Sequence, residues 1–378
     1  MTEISLAAFA DTKPHYRILD GLRGVAALMV IWYHILEGFA TSPYDQGFNH
    51  GYLAVDFFFI LSGFVIGYAY DDRWKKMKKA DFFKRRLIRL QPMIIMGAVL
   101  GFITFLIQGG VMWNGAKVAF SMIMIAFLLQ LFLIPAMPGS SVEVRGNGEM
   151  FPLNGPSWSL FFEYIGNILY AVILRKLSTR SLTVLVVIAG AGLAAFAVGN
   201  FSGFGHLGVG WTMADYNLIG GFLRLLFSFS VGLLMSRVFR PVRIRGIFWI
   251  CSLAIVVLLA IPYIGNGESP WMNGLYDAVC TIIIFPMLVY LGASGMTTDK
   301  ITTGMCKLLG DISYPLYIVH YPFMYLFYAY VWKNGLTYAQ TWPLTLLVFL
   351  GNILLAYLCL KLYDEPVRRF LAKRFSPK

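Results

Sequence analysis

The sequence predicts an all-α polytopic membrane protein of about ten net crossings, and three observations carry that reading. Of its 378 residues, 58% are hydrophobic and only 13% charged, well outside the usage of a soluble domain. The apolar residues are gathered into runs of about 18 to 20, the helical length that spans a hydrocarbon core. There is no succession of alternating segments of about ten residues, as an outer-membrane barrel would need.

Eleven apolar stretches can be read along the chain, near 22–39, 52–70, 90–109, 117–136, 158–175, 181–199, 218–236, 246–264, 274–292, 312–331 and 341–362. The first twenty residues are polar and mixed, with no short apolar core or small-residue cleavage site. No removable signal peptide is therefore expected, and the first stretch would serve as its own targeting signal. Linkers are short and no internal repeat stands out. The expected organisation is one membrane-embedded domain over 1–378, with a cytoplasmic segment 1–20 and a basic cytoplasmic tail 363–378.

A formal charge of +12 could suit nucleic acid, but its distribution argues against that partner. The basic residues fall mostly in short loops between apolar runs, which is the orientation signal of a membrane protein. Segment 71–89 holds Arg73, Lys75, Lys76, Lys78, Lys79, Lys84, Arg85, Arg86 and Arg89. Further basic loops carry Arg175, Lys176 and Arg180, then Arg237, Arg240, Arg243 and Arg245, and the tail ends in Arg368, Arg369, Lys373, Arg374 and Lys378. Placing all of these inside leaves one net crossing for 90–136, so one piece there is re-entrant, broken or interfacial. Such backbone is tolerated where protein or a cavity covers it, and Gly109-Gly110 and Asn114-Gly115 supply the breaks. Both termini are then cytoplasmic. The cysteines Cys251, Cys280, Cys306 and Cys359 have no metal or redox spacing and read as packing residues; no metal site is expected.

Ionisable groups inside a membrane are costly, so each is a functional candidate. Arg23 and His34 share the first stretch, eleven residues apart, hence on one helix face and roughly 16 Å apart along the axis. Arg23 lies at the cytoplasmic mouth, where snorkelling arginines are common. Asp56, near the outer end of the second stretch, is placed to accept a hydrogen bond from His34 and so raise its basicity. Glu163 falls about a turn inside the outer end of its helix, with Ser157 as N-cap and Trp158 as interface anchor. Arg224 needs a carboxylate or a carbonyl, with Glu163 and Asp277 as candidate partners. Tyr317 and His320 are three apart and so neighbours on a face. Arg85, Arg86 and Arg89 open the third stretch, as positive-inside anchors and as a pattern suited to phosphate; Pro92 then starts or kinks the helix.

In this order the pieces resemble the acyltransferase-3 family of bacterial integral membrane O-acyltransferases, from Asp20 to Arg369. The matching residues are Leu19-Asp20-Gly21-Leu22-Arg23-Gly24 leading to His34, an arginine and a histidine separated by ten residues. Then come Val55-Asp56-Phe57-Phe58-Phe59-Ile60-Leu61-Ser62-Gly63, Arg85-Arg86-Leu87-Ile88-Arg89-Leu90-Gln91-Pro92 and Trp158-Ser159-Leu160-Phe161-Phe162-Glu163. Ser313 to Pro322, with Tyr317 and His320, and Glu365-Pro366-Val367-Arg368 complete the set. Tyr164-Ile165-Gly166-Asn167 departs from a family pattern that often has a second acidic residue, and no hydrolase-like domain follows the last stretch.

The resemblance implies transfer of an acyl group, usually acetyl from cytoplasmic acetyl-CoA, to a hydroxyl of an exported glycan, a glycolipid or a small hydroxylated acceptor. Its setting would be the bacterial cytoplasmic (inner) membrane. Arg23, Arg85, Arg86 and Arg89 would hold the donor. His34, Asp56 and Glu163 would be catalytic, with Trp158, Arg224, Tyr317 and His320 lining the acceptor side. Acyl-CoA is then a co-substrate and no cofactor is permanently bound. Polysaccharide-assembly proteins or a second copy are the candidate partners. A rival reading makes the chain a transporter or flippase whose Arg23, Asp56, His34 and His320 line a substrate or proton path.

Overall fold

A computed structural model describes residue 13 and residues 15–297 and 299–375. Most of the expected cytoplasmic segment 1–20, and Lys378 of the tail, lie outside the described residues. Those described form thirteen α-helices and one two-stranded parallel ribbon, β1 (Ile244–Arg245) with β2 (Gly295–Met296). The helices are α1 Arg17–Glu37, α2 Ala54–Tyr70, α3 Lys79–Ile107, α4 Phe120–Leu131, α5 Ser157–Val172, α6 Thr179–Val198 and α7 Asp215–Val238. There follow α8 Ile247–Ala260, α9 Pro270–Val279, α10 Phe285–Ala293, α11 Lys300–Asn334, α12 Tyr338–Cys359 and α13 Glu365–Phe375. Among the described residues, 8 helical segments are long and apolar enough to cross a membrane. The chain is a multi-pass membrane protein.

Two parallel helix pairs organise the bundle. Along α1 and α11, Arg23 Nε donates to Ser313 Oγ at 2.8 Å, Tyr328 OH to the His34 carbonyl at 2.5 Å and Trp332 Nε1 to the Gly38 carbonyl at 2.8 Å. The order of partners is the same on both helices, so they run in one direction. A Cβ on Gly24 would meet the Leu309 carbonyl oxygen at 2.4 Å. Only glycine allows that approach, the small-residue packing that membrane helices use in place of a hydrophobic drive. The second pair is α2 with α7. A Cβ on Gly63 would lie 2.0 Å from the Phe229 oxygen, and one on Gly232 would lie 2.0 Å from the Ile60 oxygen. Glycine thus permits the close approach at Gly63, while the neighbouring Ser62 Oγ donates to Glu163 Oε1 at 3.2 Å.

Three elements differ from the sequence reading. The basic segment before the third apolar stretch is not all loop: Lys79–Arg89 forms the first turns of α3, opened where Asp81 Oδ2 accepts from the Lys78 N–H at 3.3 Å. Pro92 therefore lies inside the helix rather than at its start. Ser157 does not cap α5; its hydroxyl accepts from Gln130 Nε2 at 2.8 Å. The stretch 117–136 yields only the 12 residues of α4, short of the roughly 20 a span needs. Its approach is bonded near the end of α3 (Val118 N to Gly110 O, 3.0 Å), and its last carbonyl accepts from Gln91 Nε2, well down α3, at 2.6 Å. The basic loops do gather at one end. Arg237 Nε donates to Asp71 Oδ2 at 2.8 Å and Nη1 to the Leu177 carbonyl at 2.7 Å, so three of those loops meet there. All four cysteines are free and buried.

The pair α2–α7 also closes over a fully buried ion pair. Arg224 Nη2 lies 2.7 Å from Asp56 Oδ2, and Nε reaches both Asp56 oxygens at 3.1 and 3.2 Å. Two further guanidinium hydrogens go to the Tyr52 and Val209 carbonyls at 2.8 and 2.7 Å. Removing one partner strands the other charge away from water, a loss of about 3–5 kcal/mol. Asp56→Ala and Arg224→Ala should each lower the unfolding midpoint in detergent markedly, and the double variant should lose much less than the sum. Additive losses would show that the two side chains are not coupled.

Candidate active site

Two cavities open from opposite ends of the α1–α11 pair. The larger, about 920 Å³, lies at the end where the basic loops gather and is lined by Arg23, Arg86, Arg89 and Arg368 together with Glu163 and Tyr314. Arg86 Nη2 is 2.6 Å from Glu163 Oε1, and Arg89 lies 5.8 Å from the centre of the Tyr314 ring. Arg86 and Arg89, three apart on α3, share the face turned to the cavity. Arg85 is not among its lining residues, because one residue along a helix turns the side chain by about 100°.

The second cavity, about 470 Å³, is lined by His34, Glu37, Glu149 and His206 among aromatic side chains that include Trp113, Trp158, Tyr321 and Trp332. His34 Nδ1 lies 2.7 Å from Glu37 Oε2, and the Tyr328 hydroxyl, whose one hydrogen is shared with the nearer His34 carbonyl, lies 3.1 Å from the same oxygen. Glu37 thus occupies the orienting position that the sequence reading gave to Asp56. With Nδ1–H donating to the carboxylate, Nε2 keeps its lone pair, the tautomer a general base needs. Val55 and Tyr317 line both cavities, so the partition between them is thin. The Tyr317 hydroxyl is held to Ser159 Oγ at 2.7 Å.

The other candidates fall into place unevenly. Arg23 lines the larger cavity and its guanidinium bonds Ser313 and the Gly310 carbonyl. Trp158 faces the smaller cavity instead of a membrane interface, with Arg224 5.2 Å behind its ring. Glu163 belongs to the basic cavity and pairs with Arg86, not Arg224. Asp56 and Arg224 are spent on each other and line neither cavity. Asp277, the other candidate for Arg224, accepts instead from Tyr52 OH at 3.0 Å and Leu207 N at 2.8 Å. His320 is buried outside both linings, its ring stacked on that of His34 with centroids 5.6 Å apart.

Against this geometry, the comparisons with known proteins are decisive. A family model described as an acyltransferase domain matches residues 16–361. The chain belongs to the acyltransferase-3 family. It is 27% identical over 390 residues to the acyltransferase MdmB of Streptomyces mycarofaciens, covering 94% of this chain and 92% of that protein. A Staphylococcus aureus protein whose name marks it as an O-acetyltransferase is 26% identical over 334 residues, 82% of this chain. This chain spans about half of that relative's length, 51%. A Rhizobium radiobacter protein, described as protein 2 in the picA locus, is 32% identical over 197 residues, 49% of this chain and 95% of that one. No solved structure matches. The chain is therefore an acyl-transferring membrane enzyme, and the transporter reading receives no support.

Further polar groups lie in or beside the smaller cavity. Glu37 is legible as the third residue after His34 on one helix face. Arg145 and Glu149 lie in a segment that reads as linker, yet both are buried, at 1% and 7% exposure. Glu149 accepts from Tyr325 OH and, at 3.0 Å, from Asn147 Nδ2. Burial pushes its carboxyl up from 4.5 to about 7, against the opposing pull of Tyr325 and Arg145. His206 is pushed down to about 4, mainly by burial, so it is neutral near pH 7.

The raised Glu149 value sets a direction for stability. Below about pH 4.5 folded and unfolded chains both hold the proton and the group contributes no difference. As pH rises through about 7 the unfolded chain ionises first, and the folded state carries a growing cost of at most about 3 kcal/mol. Glu149→Gln should therefore melt at a higher temperature than the parent at pH 8, with the difference vanishing near pH 4.5. A difference independent of pH would show that Glu149 does not titrate in this way.

Proposed function

We propose that this enzyme moves an acyl group, most simply acetyl, from cytoplasmic acyl-CoA to a hydroxyl of an exported or surface glycan, a glycolipid or a small hydroxylated compound. The carrying observation is that one helix, α1, presents Arg23 to a basic cavity and the His34–Glu37 pair to an aromatic one. Donor phosphates suit the arginines of the first cavity, where Arg23, Arg89 and Arg368 supply fixed positive charge. The positive-inside pattern supports a cytoplasmic opening for that cavity, in what would be the bacterial inner membrane. In this arrangement α4 is the piece that does not cross, and ten helical passes leave both termini inside.

The acyl thioester would reach His34 past Tyr317 and Val55, the two residues common to both cavities. His34 Nε2 would take the proton of the acceptor hydroxyl as its oxygen attacks the thioester carbonyl, and the CoA thiolate leaves. Glu37 would hold the ring in the right tautomer and stabilise the imidazolium. The same geometry serves an acyl-His34 intermediate, in which Nε2 attacks the thioester and the acyl group then passes to the hydroxyl. In both routes the acyl group travels outward along α1.

His34→Ala should lower acyl transfer by at least about 100-fold in protein that still inserts and melts normally, measured as labelled acyl on an acceptor in reconstituted vesicles. Near-normal transfer would remove His34 from the chemistry. Arg89→Gln should raise the KM for acyl-CoA with little change for the acceptor; equal losses for both would point to folding.

A further inference from the structure

The segment between α6 and α7, residues 199–214, is irregular, yet its backbone is tied down on both sides of His206. Gly205 N donates to Asn200 Oδ1 at 2.7 Å, and the Gly205 carbonyl accepts from Tyr263 OH at 2.9 Å and from Asn273 Nδ2 at 3.2 Å. Leu207 N donates to Asp277 Oδ2 at 2.8 Å. Asn273 and Asp277 are both fully buried on α9. Buried polar side chains are costly unless bonded, and these two bond the residues that flank one histidine. Such a shell is what a fixed functional side chain needs.

The His206 ring has a fixed hydrogen-bond polarity. Gly208 N lies 2.9 Å from its Nδ1, and a backbone N–H can only donate, so Nδ1 presents its lone pair. A half-turn of the ring would exchange Nδ1 for Cδ2 and forfeit that bond. Burial disfavours an imidazolium here, and the neutral ring then carries its hydrogen on Nε2. Among the described residues no protein group bonds Nε2, and the side chain lines the aromatic cavity. Gln46 and Trp211 line it too, but they give their N–H groups to the Tyr33, Phe48 and Gly208 carbonyls. His34 has the opposite polarity, with Nδ1 toward Glu37 and the lone pair on Nε2. One imidazole of the cavity thus accepts a proton from a hydroxyl, and the other offers an N–H to an oxygen.

We propose that His206 binds the acceptor directly, its Nε2–H donating to an acceptor oxygen other than the hydroxyl that His34 deprotonates. The acceptor is then a compound with at least two oxygen functions, a second hydroxyl, an ether or a carbonyl beside the reactive hydroxyl. This rests on the acceptor role given above to the cavity.

The test separates the two nitrogens of the ring. His206→Asn keeps an acceptor for the Gly208 amide at the δ position and has no donor reaching the ε position. His206→Gln keeps an N–H at the ε position and gives up the δ acceptor. The full chain is reconstituted in vesicles with labelled acetyl-CoA and, as acceptor, a dilution series of the glycan and lipid extract of source cells that lack this enzyme. His206→Asn should raise the apparent KM for the extract about ten-fold with the KM for acetyl-CoA unchanged, while His206→Gln stays within about three-fold of the parent on both. The reverse order, with the Asn variant normal and the Gln variant impaired, would show that His206 only supports its own loop. Equal losses in both variants, or none in either, would likewise overturn the proposal. In each of those cases the parent still transfers label, so the transferase reading stands. A parent that labels nothing in the extract would sink that reading, and the proposal with it.

Discussion

The parallel contact between α1 and α11 is the constraint on which both cavities depend. Gly24 lets α1 approach the α11 backbone until a Cβ would touch the Leu309 carbonyl, and the hydrogen bonds from Arg23, Tyr328 and Trp332 fix the register above and below it. In that register Arg23 faces one cavity, and His34 and Glu37 face the other. Since α11 also carries Tyr317 at the partition and Tyr325 and Tyr328 behind the carboxylates, a slide of one turn would misplace every polar group of the site together. Close packing at Gly24 and these inter-helix hydrogen bonds together hold the chemistry in line.

The polar groups that line neither cavity are not idle. Asp56 and Arg224 join α2 to α7, and Arg224 also grips the Tyr52 and Val209 carbonyls. Asp277 holds Tyr52 and the Leu207 amide, and Asn273 donates to the Gly205 carbonyl at 3.2 Å. These bonds pin the segment carrying His206 over the smaller cavity. In a low-dielectric interior such a network is worth its desolvation only when every member is satisfied, and here the arginine finds four acceptor oxygens. The outer wall of that cavity is shaped by buried electrostatics, whereas the α1–α11 seam is shaped by glycine.

The fold class, the gathering of basic loops and a break somewhere within 90–136 were legible in the sequence, because they depend on composition, run length and charge placement. Which helices touch was not. Asp56 was paired with His34 from adjacency in the chain, yet its partner is Arg224, 168 residues away. Nothing in one sequence announces that α2 lies along α7. Glu37 escaped notice because a carboxylate at a helix end reads as an interfacial charge, although its spacing from His34 carried the signal. Glu149 and Arg145 were hidden differently: they lie on irregular backbone, where no periodicity marks a residue as buried.

The two cavities differ in electrostatic character more than in size, and that difference bears on how transfer could be directed. One is rich in arginine, so a polyanionic donor gains from entering it and little from leaving toward acidic Glu37 and Glu149. The other has no lysine or arginine among its described lining residues, so phosphate groups are disfavoured there while a neutral acyl group is not. A thioester arm could then extend past Tyr317 toward His34 with its charged end retained among Arg23, Arg89 and Arg368. On the proposed reading, the partition need not recognise the acyl group at all. It suffices that the charges on either side favour opposite ends of the reaction, and that α1 is rigid enough to keep them apart.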